Sequence, residues 1–359
     1  MIEVKKVRNE DFWSWFVDHA DRFFETIQSQ ENISRDFIDV VSIKLNRLRN
    51  GFFILTGMYD DDTAELIITA DGNVVVIPFI EELVAAAPNI PNWKFTALKP
   101  ATDREDFEVG FSQASLSADN LFFIYNAHSE YPDLIDIDVV HADITDDTKR
   151  LFTQGIFIFL ENYIGEMECI DLIDSIDIKA MNKTKGDLIP MSKLSSFLKW
   201  RHKELIEKYD QVIHITGEDT YTGYESKTKE GETVIATINT KLLNWDHIAA
   251  YPWVTVLTLS YDNGSNGMPS DDDYQLLDTF EERVNILMAK SQHCLNIGRE
   301  TGEDRRDVLY ATKDFRQTVK VMDEVMNLDS PYRITYDVFK DKYWRSLDRF
   351  RVEEQRRLQ

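Results

Sequence analysis

The sequence predicts an α+β protein with more than one domain, and three observations support this. The chain has 359 residues, more than a single hydrophobic core usually serves. Hydrophobic residues make up 43% of it and charged residues 29%, so its domains can bury ordinary cores. Strand-like hairpins also alternate with single helical patterns along the chain, which is typical of α+β proteins.

The first half of the chain opens with two helical patterns. Phe12 and Phe16 lie on one face of a predicted helix over residues 10–28, and a similar apolar stripe follows over residues 34–49. The later predicted elements are strands at 52–59 and 64–70, a helix at 75–87, a strand at 93–98, paired strands at 121–126 and 134–140, a helix at 146–164 and a strand at 169–178. We therefore assign residues 1–181 to an N-terminal α+β region of hairpins and single helices, folded as one domain or as two subdomains.

The composition changes in the middle of the chain. Residues 182–232 are polar and rich in turn-forming residues, with runs such as Asn182–Asp187 and Lys227–Glu232. One helix is predicted among them, over residues 191–209. We interpret residues 182–232 as a polar connecting segment with one helix.

The C-terminal part, residues 233–359, has the clearest pattern. Its predicted elements are a strand at 253–261, a helix at 271–291, strands at 295–300 and 307–312, a helix at 315–326 and a strand at 332–336. This order, βαββαβ, is the one found in ferredoxin-like folds. We therefore expect residues 233–359 to form a ferredoxin-like domain.

The charge of the chain limits its partners. It has 64 acidic and 40 basic residues, which gives a formal net charge of −24. This excess repels the phosphate backbone of nucleic acids, so nucleic-acid binding is disfavoured, whereas encounters with basic proteins are favoured.

Cysteine usage and hydropathy indicate the cellular location. The two cysteines, Cys169 and Cys294, form no C-x-x-C pair, as is usual in reducing compartments. No run of about 18 apolar residues is present, so no membrane span is predicted. We expect a cytoplasmic protein.

The most acidic window, Glu130–Asp147, is the first candidate binding surface. Asp136 and Asp138 alternate with apolar residues, so they are expected on the solvated face of a half-buried strand. The alternative is a hard-cation site formed by these two residues and Asp143, but the solvated-face interpretation is better supported and we assign no metal site. Asp136, Asp138 and the nearby His141 are candidate contacts for a basic partner.

Arg305 and Arg306 are the second candidate. They lie at a predicted hairpin tip, where they could contact an anion or a carboxylate. The alternative is that they are exposed turn charges that only increase solubility.

Four short motifs of the C-terminal part resemble the domain-of-unknown-function family 695, over about residues 233–350. They are Tyr251-Pro252-Trp253, Gly267-Met268-Pro269, the strand from Arg305 to Tyr310, and Asp341-Lys342-Tyr343-Trp344. This resemblance implies no activity. The first half resembles uncharacterised bacterial proteins through Trp13-Ser14-Trp15-Phe16, Ile68–Gly72 and Ala86–Lys94.

No catalytic or cofactor motif is recognisable. The sequence contains no H-E-x-x-H, G-x-S-x-G, P-loop or G-x-G-x-x-G pattern, so we assign no catalytic residues and no cofactor. Our main hypothesis is a non-catalytic protein-binding or regulatory module for a basic partner protein. The alternative is a hydrolase or small-molecule-binding enzyme whose site is assembled from distant residues, and the candidates for it are His128, Asp138, His141, Arg305 and Arg306.

Overall fold

A computed structural model describes residues 8–102, 104, 106–111, 114–262, 267–291 and 293–351. The chain divides into two compact units. The first unit is Met1–Ala127 with Ile135–Lys199, and the second is His128–Leu134 with Trp200–Gln359.

Helices and strands are mixed along the described residues, which confirms the α+β class. The helices are α1 (Asn9–Val17), α2 (Ala20–Ser29), α3 (Asp39–Leu48), α4 (Ile77–Ala85), α5 (Lys149–Tyr163), α6 (Glu166–Leu172), α7 (Leu194–Arg201), α8 (Thr240–Leu243), α9 (Asp271–Met288) and α10 (Phe315–Val325). The strands are β1 (Phe53–Met58), β2 (Ala64–Thr69), β3 (Trp93–Ala97), β4 (Glu108–Phe111), β5 (Ala114–Ser117), β6 (Phe122–Asn126), β7 (Asp136–His141), β8 (Ser175–Ala180), β9 (Ile189–Pro190), β10 (Tyr221–Lys227), β11 (Thr233–Asn239), β12 (Trp253–Ser260), β13 (Cys294–Gly302), β14 (Arg305–Thr312) and β15 (Arg333–Lys340). No helix in this part of the chain is long and apolar enough to cross a membrane.

The first unit begins with a small sheet covered by aromatic helices. The strand order is β1-β2-β3, with β1 antiparallel and β3 parallel to β2. Phe16 and Phe23, from the predicted helical stripe, are buried and contact each other with ring centroids 5.5 Å apart. Phe16 also meets Trp93 of β3 edge to face at 4.9 Å. Residues 10–28 thus form two helices, α1 and α2, where the sequence predicts one, and the apolar stripe is buried as expected.

The first unit also contains a four-stranded sheet of order β8-β7-β6-β9, next to a short β4-β5 hairpin. Gly165 joins α5 to α6 with φ +96°, a conformation in which any other residue would be strained, so the turn favours glycine. The strand predicted at 169–178 is wrong, because α6 occupies its first part and β8 begins only at Ser175. Acidic residues in the first turn, Glu166 and Glu168, favour this helix.

The second unit is built on a six-stranded antiparallel sheet of order β10-β11-β13-β14-β12-β15. Both α9 and α10 pack on one face of it. Leu257 of β12 and Val308 of β14 share a buried cluster with Leu277 and Val284 of α9 and with Met322 of α10. The elements predicted between residues 253 and 336 all occur, in the order β12-α9-β13-β14-α10-β15.

The sequence predicts four strands here, and the sheet has six. The additional hairpin of β10 and β11 pairs with β13, and β10 lies in the segment predicted to be a polar connection. Tyr224 is the buried side chain of β10, while most of its neighbours are exposed. An edge strand with so little burial has almost no hydrophobic pattern, and this explains why the sequence did not reveal it.

Residues 344–350 pack on the opposite face of the same sheet. Trp344 and Leu347 are buried against Val254 of β12 and Leu295 of β13. The indole Nε1 of Trp344 donates to the carbonyl oxygen of Tyr251 at 2.9 Å. The closing Trp344 of the recognised motif is therefore a core residue.

The short segment 128–134 is attached to the second unit through Asp133. Its buried carboxylate accepts hydrogen bonds from the hydroxyl groups of Tyr209 (2.5 Å) and Tyr343 (2.9 Å) and from Nζ of Lys208 (2.9 Å). Burial and the neighbouring carboxylate raise the pKa of Tyr209, so its hydroxyl remains a donor. The carboxylate is fully used in holding this segment.

Candidate functional site

The predicted acidic contacts lie on β7, a central strand of the first unit. Asp138 is only 5% exposed, and its carboxylate accepts from Nζ of Lys179 (2.7 Å) and Nδ2 of Asn126 (2.9 Å). Its predicted position on a solvated face is wrong, because β6 and β8 flank β7 and bring the side chains that cover and pair it. Asp136, two residues away, is half-buried.

His141 lies at the end of the same strand and is also buried. Its ring contacts that of Phe152 at 5.1 Å, and its Nδ1 accepts from the backbone N–H of Asp143 at 3.2 Å. Burial lowers the pKa of His141, although the Asp143 carboxylate opposes this in part. The imidazole is therefore a neutral packing group at neutral pH.

Arg305 and Arg306 lie at the start of β14 in the second unit, on opposite faces of the strand. Arg305 is half-exposed and forms ion pairs with Glu303 and Asp307, each at 3.2 Å. Arg306 is 0% exposed, unlike the exposed turn charge that the sequence suggests. His128 also belongs to the second unit, whereas Asp138 and His141 belong to the first.

Arg306 takes part in a partly buried network of two arginines and two carboxylates. Its Nη1 donates to Asp278 (2.6 Å) and Glu281 (3.2 Å) of α9, and its Nε donates to the hydroxyl of Thr301 (3.1 Å). Arg299 pairs with the same two carboxylates, at 3.1 and 2.9 Å. Four charges thus balance one another between α9 and the sheet, and Arg306 is held in place as a structural residue.

A cleft of about 830 Å³ opens in the first unit, and we call it the acidic cleft. Its walls are α5, α6, residues 173–176, which lead into β8, and Asp71 and Gly72, which follow β2. Phe157 and Ile158 of α5 line it and remain 41% and 49% exposed, so its apolar wall is open to solvent. Pockets of this volume with mostly apolar walls are the usual form of a binding site.

One end of the acidic cleft carries a cluster of carboxylates around one lysine. Nζ of Lys99 donates to Asp71 (2.5 Å) and Glu161 (2.6 Å). Glu166 lies beneath them with no exposure and accepts from the Thr69 hydroxyl at 2.6 Å, as well as from two backbone N–H groups. Negative charge therefore exceeds positive charge at this end of the cleft.

The titration of neighbouring groups reflects this excess. Burial opposes the charge on Lys99, but the two carboxylates outweigh it and raise its pKa. The pKa of Glu161 is raised by burial and by the nearby carboxylates, although Lys99 opposes the change. The pKa of the Cys169 thiol is raised by burial first and then by Glu161 and other acids. A protonated thiol is a poor nucleophile, so Cys169 is not suited to covalent catalysis. Among the described residues, no three His, Cys, Asp or Glu side chains are grouped so as to hold a metal ion.

A second, smaller cavity of about 240 Å³ lies beside α9 in the second unit, and we call it the polar groove. Glu281 and Asn285 of α9 form one side, and strands β10, β11 and β13 form the floor and the other side. A β-bulge between Asn296 and Gly298 reverses the alternation of β13. Asn296 and Arg299 are three residues apart, and in a regular strand their side chains would lie on opposite faces of the sheet. Because of the bulge, both side chains point toward α9.

Hydrogen bonds fix the amides of the polar groove. Oδ1 of Asn285 accepts from Nδ2 of Asn296 at 3.0 Å and from the hydroxyl of Tyr310 at 2.8 Å. Burial raises the pKa of Tyr310 well above its usual value, so its hydroxyl stays protonated. Tyr221 of β10 stands half-exposed at the mouth of the groove.

The comparisons with known proteins bear on this second unit. Residues 219–350 match the model of a family of unknown function, DUF695. The DUF695 region begins just before β10 and includes the entire six-stranded sheet, so the resemblance inferred from residues 233–350 extends to the additional hairpin. It also contains every residue that lines the polar groove. Neither the curated proteins nor the solved structures gave a match to the chain.

Neither cavity is evident in the sequence. The acidic cleft combines Asp71 with residues of α5 and α6 that lie at least 80 positions later, and only the adjacent apolar residues Phe157 and Ile158 hint at an exposed apolar surface. The polar groove depends on β10 and on the bulge at Gly298, for which the sequence offers only an isolated glycine within a strand pattern.

Proposed function

We propose that this protein is a protein-binding module whose acidic cleft receives a basic, amphipathic segment of a partner protein. The observation that carries the proposal is the pairing of an open apolar wall with a carboxylate cluster in one cleft. The wall supplies contacts for aliphatic side chains, which hold complexes together, and the carboxylates attract basic ones.

The charges of the cleft favour a cationic occupant. Asp71, Glu161 and Asp174 line it, and none of the described residues that line it is basic. Lys99 lies behind the lining and is only 6% exposed at its side chain, so it neutralises part of the charge without presenting a cation to the cleft. A partner segment with Lys or Arg beside its apolar residues complements this arrangement.

The shape of the cleft favours a protein segment over a small substrate. Phe157 and Ile158 are neighbours on α5, and both stay close to half-exposed while facing the cleft. An amphipathic helix buries residues spaced three or four positions apart in such a groove. The enzyme alternative would require Asp138 and Arg306, which are themselves buried, to leave the charged partners that pair them at 2.7 and 2.6 Å.

Binding can be measured with a labelled amphipathic peptide of leucine and lysine, by fluorescence anisotropy on the full chain. We expect saturable binding that Ile158→Ser weakens by about tenfold, because it removes an anchor contact. Ile286→Ser is the matched control, since Ile286 is an exposed isoleucine of α9 and does not line the cleft. A reference peptide with glutamate in place of lysine should bind far more weakly.

The physiological partner can be sought by affinity capture with the wild-type chain and the same two variants. Proteins retained by the wild-type chain and by Ile286→Ser, but lost with Ile158→Ser, are the candidates. Their association rate should fall as salt rises from about 0.05 to about 0.5 M, because screening shortens the range of charge steering, while dissociation should change little. Equal binding of the acidic and basic peptides, or binding insensitive to Ile158→Ser, would refute the proposal.

We further propose that β12-α9-β13-β14-α10-β15 is a ferredoxin-like arrangement extended by one hairpin. Its support is the order β13-β14-β12-β15 within the sheet, with both helices on one face. The unpaired cysteines Cys169 and Cys294 support the cytoplasmic location proposed from the sequence.

A further inference from the structure

The polar groove has balanced charges although several ionised side chains adjoin it. Arg299 donates to Asp278 and Glu281, and the buried Arg306 donates to the same two carboxylates. Two positive and two negative charges therefore cancel within one network. A charged ligand would be repelled by two of these charges and attracted by the other two, so an uncharged ligand fits best.

The groove also offers unused hydrogen-bonding groups of both kinds. Nδ2 of Asn296 donates to Oδ1 of Asn285, which leaves the side-chain Nδ2 of Asn285 and the side-chain Oδ1 of Asn296 without a protein partner among the described residues. Arg299 uses only its Nη1, and the Thr237 hydroxyl has no partner in the described chain. Donors and acceptors placed side by side match hydroxyl groups, because each hydroxyl both donates and accepts.

The mouth of the groove supplies an aromatic surface. Tyr221 is 49% exposed and belongs to the lining, so one part of its ring faces the cavity and solvent. The electron-rich face of an aromatic ring attracts the weakly positive C–H groups of a saturated ring. The volume of about 240 Å³ provides room for one small ring.

We propose that the polar groove of the DUF695 region binds one neutral sugar ring, with its hydroxyl groups on Asn285, Asn296 and Arg299 and one face against Tyr221. The ligand is a free monosaccharide or the terminal residue of a glycan. This site lies in the second unit and is independent of the protein-binding function proposed for the acidic cleft.

The proposal can be tested on the full chain by ligand-observed saturation-transfer NMR with D-glucose, D-galactose, D-mannose, N-acetyl-D-glucosamine and myo-inositol. We expect at least one of them to bind with a Kd of about 1 mM, as befits a single small ring. Tyr221→Ala should weaken that binding by about tenfold, and Thr237→Val, which removes a hydroxyl without changing the volume, should weaken it severalfold. Methyl glycosides distinguish the two sources. A site for a terminal glycan residue must also bind the methyl glycoside, because the methyl group occupies the position of the next sugar, whereas a site for the free monosaccharide need not.

Tyr59→Ala is the matched control, because Tyr59 is an exposed tyrosine of the first unit and does not line the groove. It should leave sugar binding unchanged. The proposal is overturned if none of the five probes binds at up to about 100 mM. It is equally overturned if Tyr221→Ala and Thr237→Val bind as well as the wild type, or if acetate, phosphate or ethylammonium binds more tightly than every sugar.

Discussion

Replacing Asp133 by alanine should destabilise the second unit strongly, although the change removes only three heavy atoms. The carboxylate is 1% exposed and accepts from Tyr209, Tyr343 and Lys208 at 2.5 to 2.9 Å. Its removal leaves the half-buried hydroxyls of Tyr209 and Tyr343 without this acceptor. The hydroxyl of Tyr343 also accepts from the Asp133 backbone N–H at 3.3 Å, a hydrogen bond that alanine can still make.

The size of the effect follows from these contacts. Hydrogen bonds to a charged group contribute about 1.5–3 kcal/mol each, but their sum overestimates the loss because neighbouring bonds are not additive. Lys208 is 47% exposed and can return to water, so its bond contributes least. We expect a loss of about 3–5 kcal/mol, the range measured when one partner of a buried pair is removed. For a unit of this size that corresponds to a fall in Tm of roughly 10 °C.

Differential scanning calorimetry of the full chain gives the stability loss, and hydrogen exchange of peptides from β12, β13 and β14 assigns it to the second unit. Asp133→Asn should be intermediate, since one amide oxygen can still accept. Asp246→Ala is the matched control at an exposed aspartate of the same unit, and it should change stability by no more than about 0.5 kcal/mol. A loss below about 1 kcal/mol for Asp133→Ala, or equal losses for both alanine variants, would show that segment 128–134 is not held through this carboxylate.

Two further predictions concern a backbone position and a buried histidine. Gly298→Ala should destabilise the DUF695 region by at least about 2 kcal/mol in denaturant unfolding, because φ is +145° and a Cβ would collide with the carbonyl oxygen of Thr237. Gly223→Ala in β10 of the same sheet, where a Cβ meets nothing within 4 Å, should be nearly neutral, and equal losses would contradict this expectation. Because the pKa of His141 is lowered in the folded protein, the imidazole binds a proton more readily in the unfolded chain. The contribution of neutral His141 to folding stability should therefore be complete above pH about 6.5 and should be lost as the pH falls through the pKa of the folded state. His141→Asn should reduce this dependence in guanidinium unfolding at a series of pH values, and an unchanged dependence would refute the assignment.

The parts of the fold that the sequence predicts are those with a buried periodic face. The stripe of α9 continues through Leu277, Phe280 and Val284, and all three are buried as the helical spacing requires. Strand β10 has Tyr224 as its buried side chain, and most of its other positions are exposed. Local pattern therefore carried no information about β10, whose position is fixed by pairing with β11.

The candidate site residues were harder to predict because long-range contacts decide their exposure. Asp138 alternates with apolar neighbours, as an exposed residue would, yet Lys179 lies 41 positions away in sequence and neutralises it in a buried setting. Arg306 has the residue type and hairpin position of an anion-binding residue, but Asp278 and Glu281 of α9 reach it across the fold. A single sequence shows the charge of each residue and not the partner that satisfies it.

The polar groove results from two features that act together. The hairpin of β10 and β11 extends the sheet beyond α9, so that a strip of strand surface next to the helix remains uncovered. The bulge before Gly298 then turns Arg299 onto the same face as Asn296, toward Glu281 and Asn285. A sheet of four strands would lack the far wall with Tyr221, and a regular β13 would direct Arg299 away from α9. Both features lie inside the DUF695 region, so substitutions that straighten β13 should remove sugar binding while the acidic cleft of the first unit still binds its basic peptide.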